Sequence, residues 1–187
     1  RVTIGELLNK RIFGYLKWQL RRRGEHRREV LDALLSDLKA TTPDHTVVTG
    51  DLTHLGLPLE FQQARDLLHS VGSPARVTVI PGNHDAYVKA DWKDTFVHLA
   101  DFMVSDESYS QGEAGTNSDN TFPSLRIRGL VALVGVSTAR PSNPFLAVGS
   151  VGKIQLGKLE KILLTTGQQQ LFRIVLIHHP PVIGTVS

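Results

Sequence analysis

Apolar positions along this chain change their period several times, and each change marks an element. Leu8, Ile12, Leu16 and Leu20 recur every fourth residue with Phe13 beside them, which predicts an amphipathic helix over residues 5–20. Lys10, Arg11 and Lys17 fall on its other face, and Arg21, Arg22 and Arg23 follow before Gly24. Val30, Leu31, Leu34, Leu35 and Leu38 predict a second helix over 26–40, with Pro43 ending that region. Thr46 to Thr49 then reads as a short buried strand closed by Gly50-Asp51. Phe61, Ala64, Leu67, Leu68 and Val71 mark a helix that stops at Gly72, and Val77 to Ile80 forms the next strand, ended by Pro81-Gly82. Strand, helix and strand in this rhythm make a βαβ unit, so the two strands should be parallel neighbours.

The second half reads less evenly. Trp92, Phe96, Leu99 and Met103 suggest a helix over 91–103, whereas 105–120 is polar, rich in Gly and Ser and without apolar period, as in a mobile loop. Leu125–Arg128 and Val131–Val136 read as strands joined at Gly129. Leu156, Leu159, Ile162 and Leu163 predict a helix over 153–164. The apolar strand from Phe172 to Ile177 runs straight into His178-His179-Pro180-Pro181. No repeat or heptad interrupts this order, and the expectation is one α/β domain over 1–187.

Composition narrows the class. With 187 residues, 41% hydrophobic and 21% charged, the chain is long enough to bury one substantial core. A formal net charge of +3 falls well short of a nucleic-acid-binding surface. The absence of cysteine rules out disulfides and thiolate metal sites; it fits a reducing, cytoplasmic setting. No apolar run approaches membrane-spanning length. The sequence opens on Arg1 rather than methionine and stops at Ser187 soon after a Pro-Pro turn, so a fragment truncated at both ends is expected.

Chemistry-bearing residues gather where strands end: Gly50-Asp51, Gly82-Asn83-His84-Asp85 and His178-His179. In α/β folds the carboxyl ends of strands are where sites are built. Parallel neighbours finish on the same edge, so Asp51 should lie close to Asn83, His84 and Asp85. A carboxylate, an amide oxygen and an imidazole suit a divalent ion such as Mn, Fe, Zn or Ni.

In this order and at these strand ends, the residues resemble the calcineurin-like metallophosphoesterases, whose motifs are Asp-x-His, Gly-Asp, Gly-Asn-His-Asp/Glu, a His after a strand, and Gly-His-x-His. The resemblance runs from the second helix through Pro181. It implies a four-layer α/β/β/α sandwich, two sheets face to face with helices outside. It also implies two divalent metal ions, about 3.5–4 Å apart in such centres. Asp51 would bridge the two, and Asn83 and His178 would be further ligands of one. His84 would contact phosphate and act as general acid, while Asp85 and His179 would fix these side chains from behind. The reaction implied is in-line attack of a metal-bound hydroxide on phosphorus. Asp-x-His and Gly-His-x-His do not occur in the 187 residues, so this stretch alone is expected to be inactive.

Within the family, Gly50-Asp51-Leu52-Thr53-His54-Leu55-Gly56 lacks the second acid and the Arg of the protein Ser/Thr phosphatase branch. The form looks more like bacterial phosphodiesterases of the cyclic-nucleotide type, which puts a phosphodiester ahead of a monoester as the small-molecule substrate. Two other readings stand beside this one. The chain could be a scaffold that kept the fold and lost its metals, although retaining Asp51, Asn83, His84 and His178 argues against that. It could also be a membrane-associated hydrolase of lipid-linked pyrophosphates, since Phe13, Tyr15, Trp18, Lys17 and Arg21–Arg23 give residues 5–23 an interfacial character. An ordinary helix packed on the sheet, its basic side solvated, is the preferred reading of that stretch. His26, His45, His54, His69 and His98 read as surface or helix-face residues, with His54 the nearest to substrate. Arg140 and Asn143 read as a solvated loop pair.

Overall fold

The computed structural model describes residues 11–12, 27–109, 117–143 and 148–182. Its elements, in chain order, are α1 (Arg28–Thr41), β1 (Thr46–Val48), α2 (Pro58–Val71), β2 (Val77–Val79), α3 (Ala100–Met103), α4 (Ser118–Thr121), β3 (Ser124–Arg128), β4 (Val131–Gly135), α5 (Lys153–Gln168) and β5 (Phe172–Leu176). The helix expected over 5–20 lies outside the described residues except for Arg11 and Ile12, and so does the interfacial character read into 5–23.

Strands β1 and β2 pair in parallel, Thr46 beside Val77 and Val48 beside Val79, as the βαβ argument requires. A second sheet holds β3, β4 and β5, with β3 antiparallel and β5 parallel to the central β4. Alternation along β2 explains how the layers meet. Val77 approaches the end of α2, where a Cβ on Gly72 would sit 3.2 Å from its Cγ2. Ile80, just past β2, instead approaches Gly135 of the other sheet. One core cluster therefore joins Phe61, Ala64 and Leu68 of α2 to Val77, Val79, Ile80 and, from β5, Leu176. The outer face of the second sheet buries Leu125, Ala132 and Val134 against Leu159, Ile162 and Leu163 of α5. Helix, sheet, sheet and helix thus stack in the α/β order expected.

Several local readings change. The apolar stripe of α1 is at most half-buried, with Val30 64% and Leu34 62% exposed. The helix expected over 91–103 is broken into 3-10 turns at Trp92–Asp94 and Phe96–Leu99 before the single turn of α3. Thr95 lies between those turns with φ of −133° and ψ of −94°, which interrupts the α-helical ladder. The strand β1, expected buried, is not: Val47 is exposed, and Thr46 and Val48 are half-buried. Arg11, expected on a solvated face, is buried and donates from Nε to Leu55 O at 2.9 Å. Of the polar segment 105–120, Ser105 and Asp106 are tied to β3 through Leu125 N and Ile127 N.

His45 is likewise no surface residue. Its Nδ1 accepts from Arg128 Nε at 3.2 Å, so Nε2 carries the hydrogen and donates to Thr78 Oγ1 at 2.7 Å. Burial, then the Arg128 and Arg126 guanidiniums, lower its pKa from 6.5 to about 4, with Asp106 opposing. The unfolded chain takes up a proton near pH 6.5 that the folded chain refuses until about pH 4. Stability is therefore fully present above that window and falls as pH drops through it. Urea midpoints measured from pH 7 to pH 4 should show this loss, and His45→Gln should flatten the slope.

Candidate active site

Both β1 and β2 end in turns that bring backbone into close contact. Gly50 has φ of +99°, and a Cβ there would stand 2.6 Å from Gly82 Cα and 2.9 Å from Pro81 C. Only glycine fits such an approach. The next residue, Asp51, also has a positive φ of +58°, so the chain turns abruptly and aims the carboxylate back across the strand ends.

Asp85 locks the two turns together. Its Oδ2 accepts from Asp51 N and Gly82 N, both at 2.8 Å. Its Oδ1 accepts from Thr53 N at 2.8 Å and Thr53 Oγ1 at 3.1 Å. Burial pushes this carboxyl above the ordinary carboxylate range; the Gly82 and Thr53 N–H groups oppose the rise and the Asp51 charge adds to it.

The side chains of Asp51, Asn83 and His178 come together at this edge. His178 Nδ1 lies 2.6 Å from Thr49 O. A carbonyl only accepts, so Nδ1 carries a hydrogen, and the neutral form of the ring would present a lone pair at Nε2. Nε2 faces Asn83 Oδ1 at 3.1 Å and Asp51 Oδ1 at 3.5 Å. Asp51 Oδ1 is itself oriented by His84 N at 3.0 Å. Three atoms able to give an electron pair to a metal thus converge at one point. The residues present therefore fit one divalent ion with mixed O and N ligands. Among the described residues no three His, Cys, Asp or Glu side chains cluster; the third donor here is an amide oxygen.

His84 lies beside this trio with its Nδ1 at 2.8 Å from His54 O. His179 does not join the trio. Its Nδ1 pairs with Thr138 Oγ1 at 2.7 Å, its ring lies edge-on to His178 at 5.0 Å, and Gly149 packs so closely that a Cβ would overlap the ring. Burial, with His178 adding, lowers the pKa of His179. Arg140 and Asn143 are exposed, as a solvated pair would be.

Sequence reasoning passed over Thr49, Arg11 and Tyr87. Thr49 acts through its carbonyl, which has no residue signature. Arg11 lies forty-four positions from the Leu55 it binds. Tyr87, whose ring lies 5.9 Å from that of His84, could have been noticed as the aromatic residue closing the turn after Asp85. His54, read as a surface residue near substrate, is stacked on His84 at 5.4 Å.

A family model for calcineurin-like phosphoesterases matches residues 18–185. No curated protein sequence matches the chain.

Proposed function

Since the chain belongs to the calcineurin-like phosphoesterases, metal-dependent hydrolases of phosphoesters, we propose that it cleaves a small phosphodiester, with Asp51, Asn83 and His178 holding a divalent cation and His84 as general acid. The observation that carries this reading is the convergence of Asp51 Oδ1 and Asn83 Oδ1 on His178 Nε2, at 3.5 and 3.1 Å. The bound cation would supply Lewis-acid polarisation of the phosphoryl group and of the attacking water. Thr49 O fixes the His178 ring so that Nε2 faces Asn83 and Asp51, the residues that would hold the cation with it. The backbone N–H of His84 orients Asp51, and the His84 ring is left to give a proton to the departing alkoxide. Asp85 holds the two turns in register, and Thr138 holds His179 behind His178.

A diester is preferred over a monoester on charge. A monoester dianion carries one more negative charge, and the Asp51 turn offers neutral Leu55 where the protein Ser/Thr phosphatase branch has a guanidinium. The second cation implied by the family resemblance would share Asp51. The intact protein, loaded with Mn, should hydrolyse bis(p-nitrophenyl) phosphate faster than p-nitrophenyl phosphate. Chelation should remove the activity and Mn restore it, while Asp51→Ala should lose it along with bound metal. An intact protein that binds no divalent metal would refute this reading and favour the scaffold.

A further inference from the structure

The His84 ring lies against two other rings and is held at one edge. His54 stacks on one side, centroids 5.4 Å apart and planes 15° from parallel. Tyr87 also stacks with it, at 5.9 Å and 14°. Both separations lie in the range favoured by offset ring pairs. At the edge, Nδ1 faces His54 O at 2.8 Å. That carbonyl can only accept, so Nδ1 keeps its hydrogen in every state of the ring, and Nε2 alone is free to exchange a proton.

The loop that presents His54 is held from three directions. Glu60 accepts from His54 N, Leu55 N and Leu57 N, at 3.3, 3.0 and 2.9 Å at the closest. Arg11 donates from Nε to Leu55 O at 2.9 Å and from its terminal nitrogen to Gly56 O at 2.5 Å. Thr53, just before, is bound through N and Oγ1 to the Asp85 carboxylate. Backbone donors and acceptors of one short loop are thus taken up by an acid, a base and a buried carboxylate. Such a loop has little freedom to move its carbonyl.

We propose that His54 and Tyr87 are positioning residues for His84, clamping its imidazole so that Nε2 is the single proton-exchanging atom and stays aimed at the leaving group. The inference rests on the general-acid reading of His84. In the transfer, Nε2 gives its proton to the leaving oxygen as the P–O bond breaks. The ring is left neutral with its hydrogen on Nδ1, the tautomer that His54 O stabilises. No other acceptor is needed.

Two measurements on the intact protein test this. In the metal-free protein, ring nitrogen NMR shifts should show a hydrogen on His84 Nδ1, and its carbon-bound ring protons shielded by the neighbouring rings. Tyr87→Ala should remove part of that shielding. A hydrogen on Nε2 instead, or no shielding, overturns the clamp whatever the activity. The second measurement uses Mn-loaded protein and a series of aryl methyl phosphates, with leaving groups from p-nitrophenol to unsubstituted phenol. The poorer leaving group depends more on protonation. His54→Ala and Tyr87→Ala should therefore lower kcat about tenfold or more on the phenyl ester, but only about threefold or less on the p-nitrophenyl ester, with KM unchanged. Tyr87→Phe, which keeps the ring, should recover the wild-type slope. Equal losses across the series in His54→Ala and Tyr87→Ala, with a steepened slope in His84→Ala, would overturn the clamp alone. A flat response in His84→Ala itself would overturn the general-acid reading.

Discussion

Gly82→Ala in the intact protein is expected to abolish metal binding and lower hydrolysis by about a hundredfold or more. A Cβ at this position would collide with Asp51 Oδ1, stand 2.5 Å from Asp51 N and lie 2.8 Å from His178 Cε1. Two of the three donors proposed for the cation would have to move, and so would the turn that aims Asp51. Neither can give way easily. Asp51 N is tied to Asp85, and the His178 ring is tied to Thr49 O. Titrating Mn into the variant by calorimetry, beside a hydrolysis assay, checks both parts. Gly129→Ala makes a clean comparison. Gly129 also has a positive φ, +59°, but nothing lies within 4 Å of its added Cβ. It should cost about 1–2 kcal/mol of stability from backbone strain and leave metal binding intact.

Asp85→Ala is expected to destabilise the fold by about 3–5 kcal/mol and to weaken metal affinity about 10–100-fold. Its carboxylate accepts from Asp51 N, Thr53 N, Gly82 N and Thr53 Oγ1. Alanine leaves these donors facing an apolar gap. Asp85→Asn keeps the shape but only one acceptor oxygen, so it should fall between the wild type and alanine. Urea unfolding separates the stability loss, and Mn affinity measured well below the unfolding midpoint isolates the effect on the site. A variant that unfolds like the wild type would show that the two turns are held by something other than this carboxylate.

These two residues also show how much of the site was legible beforehand. Gly82 and Asp85 flank Asn83 and His84 in one tetrapeptide, so their proximity is covalent. Asp51 joins them through a local argument, since parallel strands of one βαβ unit end on the same edge. His178 is a different case. Strand-end position marks it as a candidate, but its place depends on β5 pairing with β4 and on the second sheet packing against the first. Its hydrogen bond to Thr49 O spans 129 positions in sequence. His179, one residue later, is directed to Thr138 instead; the family resemblance separates the two, but their contacts come only from the fold.

The misread residues share a cause. His45 and Arg11 are polar, and polar residues near helix ends and turns are usually solvated. Here each meets partners brought in from elsewhere: Thr78 and Arg128 for His45, Leu55 O and Gly56 O for Arg11. The broken helix at 91–103 has the opposite origin. Its apolar spacing is genuine, yet Thr95 is buried and bonds to Asp91 O at 2.8 Å, so the segment is held by contacts rather than by its own ladder.

By itself the sequence determined the order of elements, the βαβ unit and the residue types at three strand ends. All of these follow from short-range periodicity and from Gly and Pro at turns. Only the tertiary structure decided which atoms of those residues face one another. Thr49 O assigns the hydrogen of His178, His54 O assigns that of His84, and Asp85 sets the spacing of the turns between them. Hydrogen bonds to backbone carbonyls depend on where the chain passes in space, not on which side chain it carries.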